Sequence, residues 1–183
     1  MSARIALSIL FTIAMLWLWL PYFFAPKEQI QIVKPITNIP DYIATDLKQT
    51  YFSDLGTVSH KVTAEKMSMY QELGFTHFVK PQFTIFSEQG VWQLKAEEAT
   101  LYDNEKLILE QNVIAKSLTT DVMLDTIEAA SIEYFISTKV MTSDSEVKMT
   151  GPGLEIKGQG LNANLEEQVI NLINHTKTTY YDQ

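Results

Sequence analysis

Cysteine is absent from this chain of 183 residues, so its fold depends on neither disulfides nor thiol chemistry. That composition is compatible with a bacterial periplasm but does not require one. Basic residues are also few: 14 Lys and Arg stand against 22 Asp and Glu, which gives a formal net charge of −8. A chain this acidic is poorly suited to nucleic acid and would be repelled by anionic lipid headgroups.

Sequence motifs that carry catalysis are missing as well. The histidines His60, His77 and His175 fall in separate segments without an i, i+4 partner, so they predict no metal site. The sequence contains no glycine-rich phosphate loop and no G-x-S-x-G motif. The adjacent acids Glu97–Glu98 and Glu166–Glu167 would point to opposite faces of a strand, and we interpret them as solvated charge. The sequence therefore predicts no enzyme, no cofactor and no metal.

One apolar run dominates the N-terminus, Ile5–Phe24, which contains no charged residue. At about 1.5 Å per residue its helix would be roughly 30 Å long, the hydrocarbon thickness of a bilayer. Signal peptides have a shorter apolar core and a small-x-small cleavage site, whereas bulky aromatics and Ala25-Pro26 follow this one. We predict a retained single-pass anchor, with Arg4 holding the N-terminus in the cytoplasm and the rest of the chain on the far side of the membrane.

The remaining chain has the length of a single domain. We predict a cytoplasmic N-terminus and anchor at 1–25, an extended proline-containing connector at 26–41, and one β domain at 42–183. Gly-containing turn signals in the domain include Asp54–Gly56 and Gly151–Gly153.

Alternating apolar and polar residues indicate strands throughout that domain. Alternation is clearest at Gln82–Phe86, Val91–Ala96 and Leu107–Ala115, with a bulge or turn expected at Gln111–Asn112. On composition alone the segment Lys61–Leu73 would suit either a strand or an amphipathic helix, and Glu166–Asn174 is ambiguous in the same way.

For Lys61–Leu73, an internal repeat favours the strand over the helix. Val62–Tyr70 (VTAEKMSMY) matches Leu94–Tyr102 (LKAEEATLY) at an offset of 32, and Ile127–Tyr134 is a looser copy. A unit of this length predicts a hairpin or two-strand step, stacked on its neighbours into an elongated β structure. The inward side chains of such a stack either fill a core or line a groove, and alternation does not distinguish the two.

Several short motifs, taken in order, resemble one known family. They are the turn at Gly56, the run Phe78-Val-Lys-Pro-Gln-Phe-Thr-Ile-Phe86, Trp92-x-Leu94-x-Ala96, and Gly151-x-Gly153-Leu-Glu-Ile-Lys-Gly158. Together with the N-terminal anchor they resemble the LptC family of lipopolysaccharide export proteins, over about Thr50 to Leu172.

The resemblance implies an all-β fold, namely one N-terminal transmembrane helix followed by a twisted, V-shaped antiparallel β-jellyroll of the OstA/LptA type with about fifteen strands. It implies an inner-membrane protein that accepts lipopolysaccharide from an ABC exporter (LptB, LptF, LptG) and shields the acyl chains. The protein would then pass the lipid to the periplasmic bridge protein LptA at its C-terminal edge.

The resemblance and the alternation together assign three sets of residues. A groove for acyl chains is expected at Phe78, Phe83, Ile85, Trp92, Leu94, Leu107 and Leu109. Structural turns are expected at Gly56, Gly151, Gly153 and Gly158, and the partner docking edge at Leu165, Val169 and Leu172. Two other functions are kept open: a membrane-anchored scaffold that joins exporter and bridge without carrying lipid, and a periplasmic glycan-binding or glycan-cleaving jellyroll.

Overall fold

A computed structural model describes residues 8, 10–13, 15–17, 39–120 and 122–181 of the chain. The chain divides into two compact units, residues 1–38 and 39–183. The described residues of the first unit are helical, and most of the predicted anchor and connector lie outside the described residues. Across the described residues, the structure contains no helix with the length and apolarity needed to span a membrane.

The second unit is an antiparallel β structure, as predicted. Its described residues form one sheet of eleven strands, fewer than the fifteen or so that the resemblance implies. A short 3₁₀ helix, Gln71–Leu73, follows the second strand. The strands are β1 (Tyr42–Phe52), β2 (Val58–Tyr70), β3 (Phe75–Val79), β4 (Gln82–Ser87), β5 (Gly90–Lys95), β6 (Glu98–Tyr102), β7 (Lys106–Ser117), β8 (Thr126–Phe135), β9 (Val140–Gly151), β10 (Leu154–Asn164) and β11 (Val169–Tyr180).

Two pairs of short strands act as single bent strands. β2 pairs with β4 through residues 60–63 and with β3 through residues 66–70. β7 in turn pairs with β6 through residues 106–110 and with β5 through residues 114–117. β3 and β4 therefore form one strand interrupted at Lys80–Pro81, and β5 and β6 form one interrupted at Ala96–Glu97. The whole sheet is an up-and-down meander of such long strands.

A line of backbone irregularities crosses the meander at these interruptions, and we call it the corner. In β7 the register shifts between Glu110 and Val113, where Gln111 and Asn112 have φ of 65° and 55°. This confirms the predicted bulge. The corner also includes Lys80 (φ 47°), which lies just before β4, and Gly160 (φ 76°), which lies within β10. Positive φ at non-glycine residues costs energy, so the tertiary structure imposes the bend there.

The sequence repeat follows the meander. Val62–Tyr70 lies in β2, Leu94–Tyr102 runs from β5 into β6, and Ile127–Tyr134 lies in β8. These are alternate long strands, so the repeat unit is a two-strand step, as predicted. The ambiguous segment Lys61–Leu73 is a strand as far as Tyr70, after which the chain turns.

The apolar faces of the strands meet in one core. Leu94, Leu109, Ile127 and Ile132 are fully buried there, and each contributes roughly 1.5 to 3 kcal/mol by leaving water. At each edge of the sheet is a strand with a single neighbour among the described strands: β1 pairs with β2, and β11 pairs with β10. β1 had no clear sequence signal, because most of its side chains are exposed and Asp46 (φ 50°) breaks the alternation.

Candidate functional site

The core opens into a cavity of about 720 Å³ between the loop after β7 and strands β9 to β11. This volume falls within the range, roughly 300 to 1,000 Å³, of pockets that bind small molecules. Its described lining carries no formal charge. The apolar part of the lining consists of Trp92, Val122, Met123, Leu124, Met149, Ile156, Leu165, Ile170 and Leu172. Trp92, Leu124, Ile156, Ile170 and Leu172 also pack against the core, so the cavity continues the core outward.

One wall of the cavity comes from the loop that joins β7 to β8. The Leu118 amide donates to the Val91 carbonyl at 2.7 Å, and the Val91 amide donates to the Thr119 hydroxyl at 3.0 Å. At the far end of the loop, the Asp125 amide donates to the Thr150 carbonyl at 2.9 Å. These bonds hold the two ends of the loop to β5 and to β9, so its apolar side chains form a defined wall.

Gly151 permits the close approach of that loop. A Cβ on Gly151 would lie 2.9 Å from the carbonyl carbon of Met123 and 3.1 Å from the Cα of Leu124, with the Met123 oxygen nearer still. These are backbone atoms, which cannot rotate away as a side chain can. Only glycine fits at the end of β9 while the loop keeps this position.

The opposite wall is the turn between β10 and β11. The Oδ1 of Asn164 accepts hydrogen bonds from the amides of Glu166 and Glu167 at 2.9 and 3.0 Å, which closes the turn. The Nε2 of Gln168 donates to the Gln89 carbonyl at 3.1 Å, and both residues line the cavity. An exposed hydrogen bond therefore joins two turns that are 79 residues apart in the sequence.

Most of the predicted groove residues lie in the closed core instead of the cavity. All seven point inward, as the alternation indicated, but six of them are 4% exposed or less: Phe78, Phe83, Ile85, Leu94, Leu107 and Leu109. Phe78 and Phe83 pack edge to face with ring centroids 5.5 Å apart. Only Trp92 of the predicted set lines the cavity. Contact of the other six with lipid stays a prediction that requires the core to open.

The predicted docking edge divides between the cavity and the sheet edge. Val169 begins β11, the last strand of the sheet, and is 44% exposed. Leu165 and Leu172 instead line the cavity, and Leu165 is buried. Docking of a partner at β11 stays a prediction.

Among the predicted turn glycines, one position is corrected. Gly56 (φ 76°) and Gly153 (φ 71°) lie in turns, and Gly151 is the last residue of β9. Gly158 lies inside β10, not in a turn. The glycine that the fold requires in that strand is Gly160, because a Cβ there would lie 2.8 Å from the Ile173 side chain. Gly158 is predicted as a turn because it ends the family-like motif. That motif does not indicate where the strand bends.

Met149, Ile156 and Ile170 are cavity residues that the sequence reasoning did not assign. Each lies in one of the strands β9 to β11, whose inward-facing positions are a usable signal in the sequence. The assignment to the cavity needed the path of the loop after β7, which no periodicity reveals.

The groups whose pKa is shifted are not among the residues that line this cavity. His60 stacks on Tyr51 with ring centroids 4.4 Å apart, and burial lowers the pKa of His60 and raises the pKa of Tyr51. The hydrogen bond and charge of Glu65, 2.9 Å away, raise the pKa of the exposed Lys80. Burial, and secondarily the charges of Glu105 and Glu166, raise the pKa of Tyr134. The described residues hold no cluster of three or more His, Asp or Glu side chains that could bind a metal ion.

An antiparallel sheet whose apolar core continues outward into an open cavity defines the class of β protein to which this chain belongs. One solved structure with a similar fold is LptH of Pseudomonas aeruginosa, described as the LptA-homologous periplasmic component of its lipopolysaccharide transport device. It aligns with a TM-score of 0.50 at 15% identity, over 62% of this chain and 80% of that one. At this identity the similarity concerns the fold alone.

Sequence comparison identifies the family. The family model for lipopolysaccharide-assembly, LptC-related proteins matches residues 5–182. The lipopolysaccharide export system protein LptC of Haemophilus influenzae is 30% identical over 161 residues, 77% of each chain. The protein of the same name from Escherichia coli K12 is 24% identical over 158 residues, 85% of this chain and 83% of that one. The chain belongs to the LptC family.

Proposed function

We propose that this protein works in lipopolysaccharide export and shields lipid acyl chains in the cavity between the loop after β7 and β9 to β11. Family membership supports the role in export. The observation that carries the lipid-binding part is the cavity itself, an opening of about 720 Å³ continuous with the apolar core.

The physical need for such a cavity follows from the lipid. Each methylene group exposed to water costs about 0.8 kcal/mol, so a molecule with several acyl chains does not cross an aqueous compartment unshielded. Apolar side chains such as Trp92, Ile156 and Leu172 would replace water around the chains. The phosphorylated sugars would stay in solvent.

The membrane arrangement is part of the proposal. The uncharged segment Ile5–Phe24 would anchor the chain in the inner membrane as a single span, with the N-terminus cytoplasmic and the β unit in the periplasm. The β unit would be a V-shaped jellyroll that receives lipid from the exporter formed by LptB, LptF and LptG. It would pass the lipid to LptA by strand addition at β11, the sheet edge with a single described neighbour.

A photo-crosslinking amino acid tests the proposed lipid site in cells with a working exporter. At Trp92 or Ile156 it should trap lipopolysaccharide, because both residues line the cavity. At Lys95, which lies in the same strand as Trp92 and is exposed, it should trap none. Placed at the buried Phe78, it reports whether the closed core opens during transport.

Two results would overturn the assignment. Adducts at Lys95 as abundant as those at Trp92 would remove the cavity from the proposal. Adducts at no position, together with normal copurification of the exporter, would favour a scaffold that carries no lipid.

A further inference from the structure

Asn164 lines the cavity, and two hydrogen bonds hold its side chain. It is the last residue of β10, half-buried, and part of the cavity lining. Its Oδ1 accepts hydrogen bonds from two consecutive amides, those of Glu166 and Glu167. Because both partners are donors, the atom they approach must be the carbonyl oxygen of the side-chain amide.

Fixing that oxygen also fixes the nitrogen. Oδ1 and Nδ2 belong to one planar group, so Nδ2 cannot turn without breaking both bonds of the turn. Among the described residues, Nδ2 has no hydrogen-bond partner. The chain thus holds a preorganised two-proton donor in the lining of a cavity whose other walls include nine apolar residues, where a ligand that brought no acceptor would leave the donor unpaired.

Acyl chains bring such acceptors with them. Each chain of an acylated lipid begins at an ester or amide carbonyl, directly between the apolar tail and the polar headgroup. Asn164 pairs with Val169, next to Ile170, while Leu172 and Ile156 lie further along the same two strands. A tail inserted along these apolar side chains would place its carbonyl beside Asn164. We propose that the Nδ2 of Asn164 donates a hydrogen bond to the carbonyl of a bound acyl chain. The proposal rests on lipid binding in this cavity and makes Asn164 a binding residue for the acyl linkage, independent of headgroup phosphate.

Asn164→Asp removes the hydrogen-bond donor and keeps the turn. A carboxylate still accepts the amides of Glu166 and Glu167, so the turn is kept, but both donor protons are lost. Asn162→Asp is the matched control, because Asn162 lies two residues earlier in β10, is exposed and does not line the cavity. Both variants add the same charge to the same strand.

The experiment uses the purified full-length chain in detergent with the photo-crosslinker at Ile156. Its probes are lipid A and the same lipid A after removal of its phosphates. Half-maximal crosslinking should require about five- to tenfold more of either lipid in Asn164→Asp, and the same amount as the unsubstituted chain in Asn162→Asp. A loss confined to the phosphorylated lipid would mean charge repulsion and would overturn the proposal, as would no loss at all.

A second measurement does not depend on any variant at Asn164. A dialkyl ether lipid lacks the carbonyls of the matching diacyl ester. About five times more of the ether than of the ester should therefore be needed to displace lipid A from the unsubstituted chain. Equal competition by ether and ester would overturn the role of Asn164 even if Asn164→Asp failed to fold. Absence of lipid adducts at Ile156 in the unsubstituted chain would instead refute lipid binding in the cavity, which distinguishes the two failures.

Discussion

Replacing Gly151 by alanine should lower the free energy of unfolding, because it displaces the loop that forms one wall of the cavity. The new Cβ would lie 2.9 Å from the Met123 carbonyl carbon and closer to its oxygen, so the loop after β7 must move away from β9. That movement breaks the 2.9 Å bond from the Asp125 amide to the Thr150 carbonyl and displaces Leu124 from the cavity. Overpacking of about 1 to 3 kcal/mol and a lost hydrogen bond of about 1 kcal/mol together give a destabilisation of roughly 2 to 4 kcal/mol.

Gly56→Ala is the matched control for that prediction. Gly56 lies in a turn where a Cβ would meet nothing within 4 Å, so only the strain of its φ of 76° remains. That strain costs about 1 to 2 kcal/mol. Thermal unfolding of the full-length protein by circular dichroism compares the two, with roughly 3 to 5 °C expected per kcal/mol. A loss in Gly151→Ala no larger than in Gly56→Ala, or unchanged crosslinking at Ile156, would refute the reasoning.

Three further substitutions test the core, the half-buried His60 and the hydrogen bond between Gln168 and Gln89. Leu109→Ala should lower the free energy of unfolding by about 2 to 5 kcal/mol in denaturant titrations, whereas Leu118→Ala, at a residue 49% exposed, should change it little. Burial lowers the pKa of His60 below 6.5, so its contribution to stability is complete above about pH 6.5 and is lost as the pH falls towards the folded-state pKa. His60→Phe should flatten stability against pH in that window, and an unchanged slope would contradict the assignment. Gln168→Ala removes the bond to the Gln89 carbonyl, so amide hydrogen exchange should quicken in residues 165–168 and stay unchanged around Leu109.

Short-range signals predicted much of the fold. Alternation gave the inward residues of β4, β5 and β7, and the polar pair Gln111–Asn112 gave the bulge, because period and turn chemistry are local properties. The repeat predicted a strand in Lys61–Leu73, since its copy at Leu94–Tyr102 alternates clearly, and the strand extends as far as Tyr70. β1 escaped because an exposed edge strand buries too little of its side chains to leave a pattern.

The candidate site was less predictable, for a different reason. Phe83 and Leu94 alternate inward in the same way as Ile156 does, yet the first two are buried in the core and only the third lines the cavity of about 720 Å³. The difference depends on which loop passes over the strand, and that contact joins residues far apart in the sequence. The proposed binding role of Asn164 could not be predicted from the sequence either, because it depends on two turn amides and on the neighbouring cavity together.

The two-strand step also sets how such a sheet can change in length. Each step pairs its backbone only with the strands beside it. Insertion or loss of one whole step would preserve the direction and backbone pairing of the other strands, whereas a single added strand would reverse the direction of the last one. With strands about 4.8 Å apart, the span from β1 to β11 can therefore change only in increments of about 10 Å. Proteins built on this plan would differ in reach by whole increments, as modules of a fixed size.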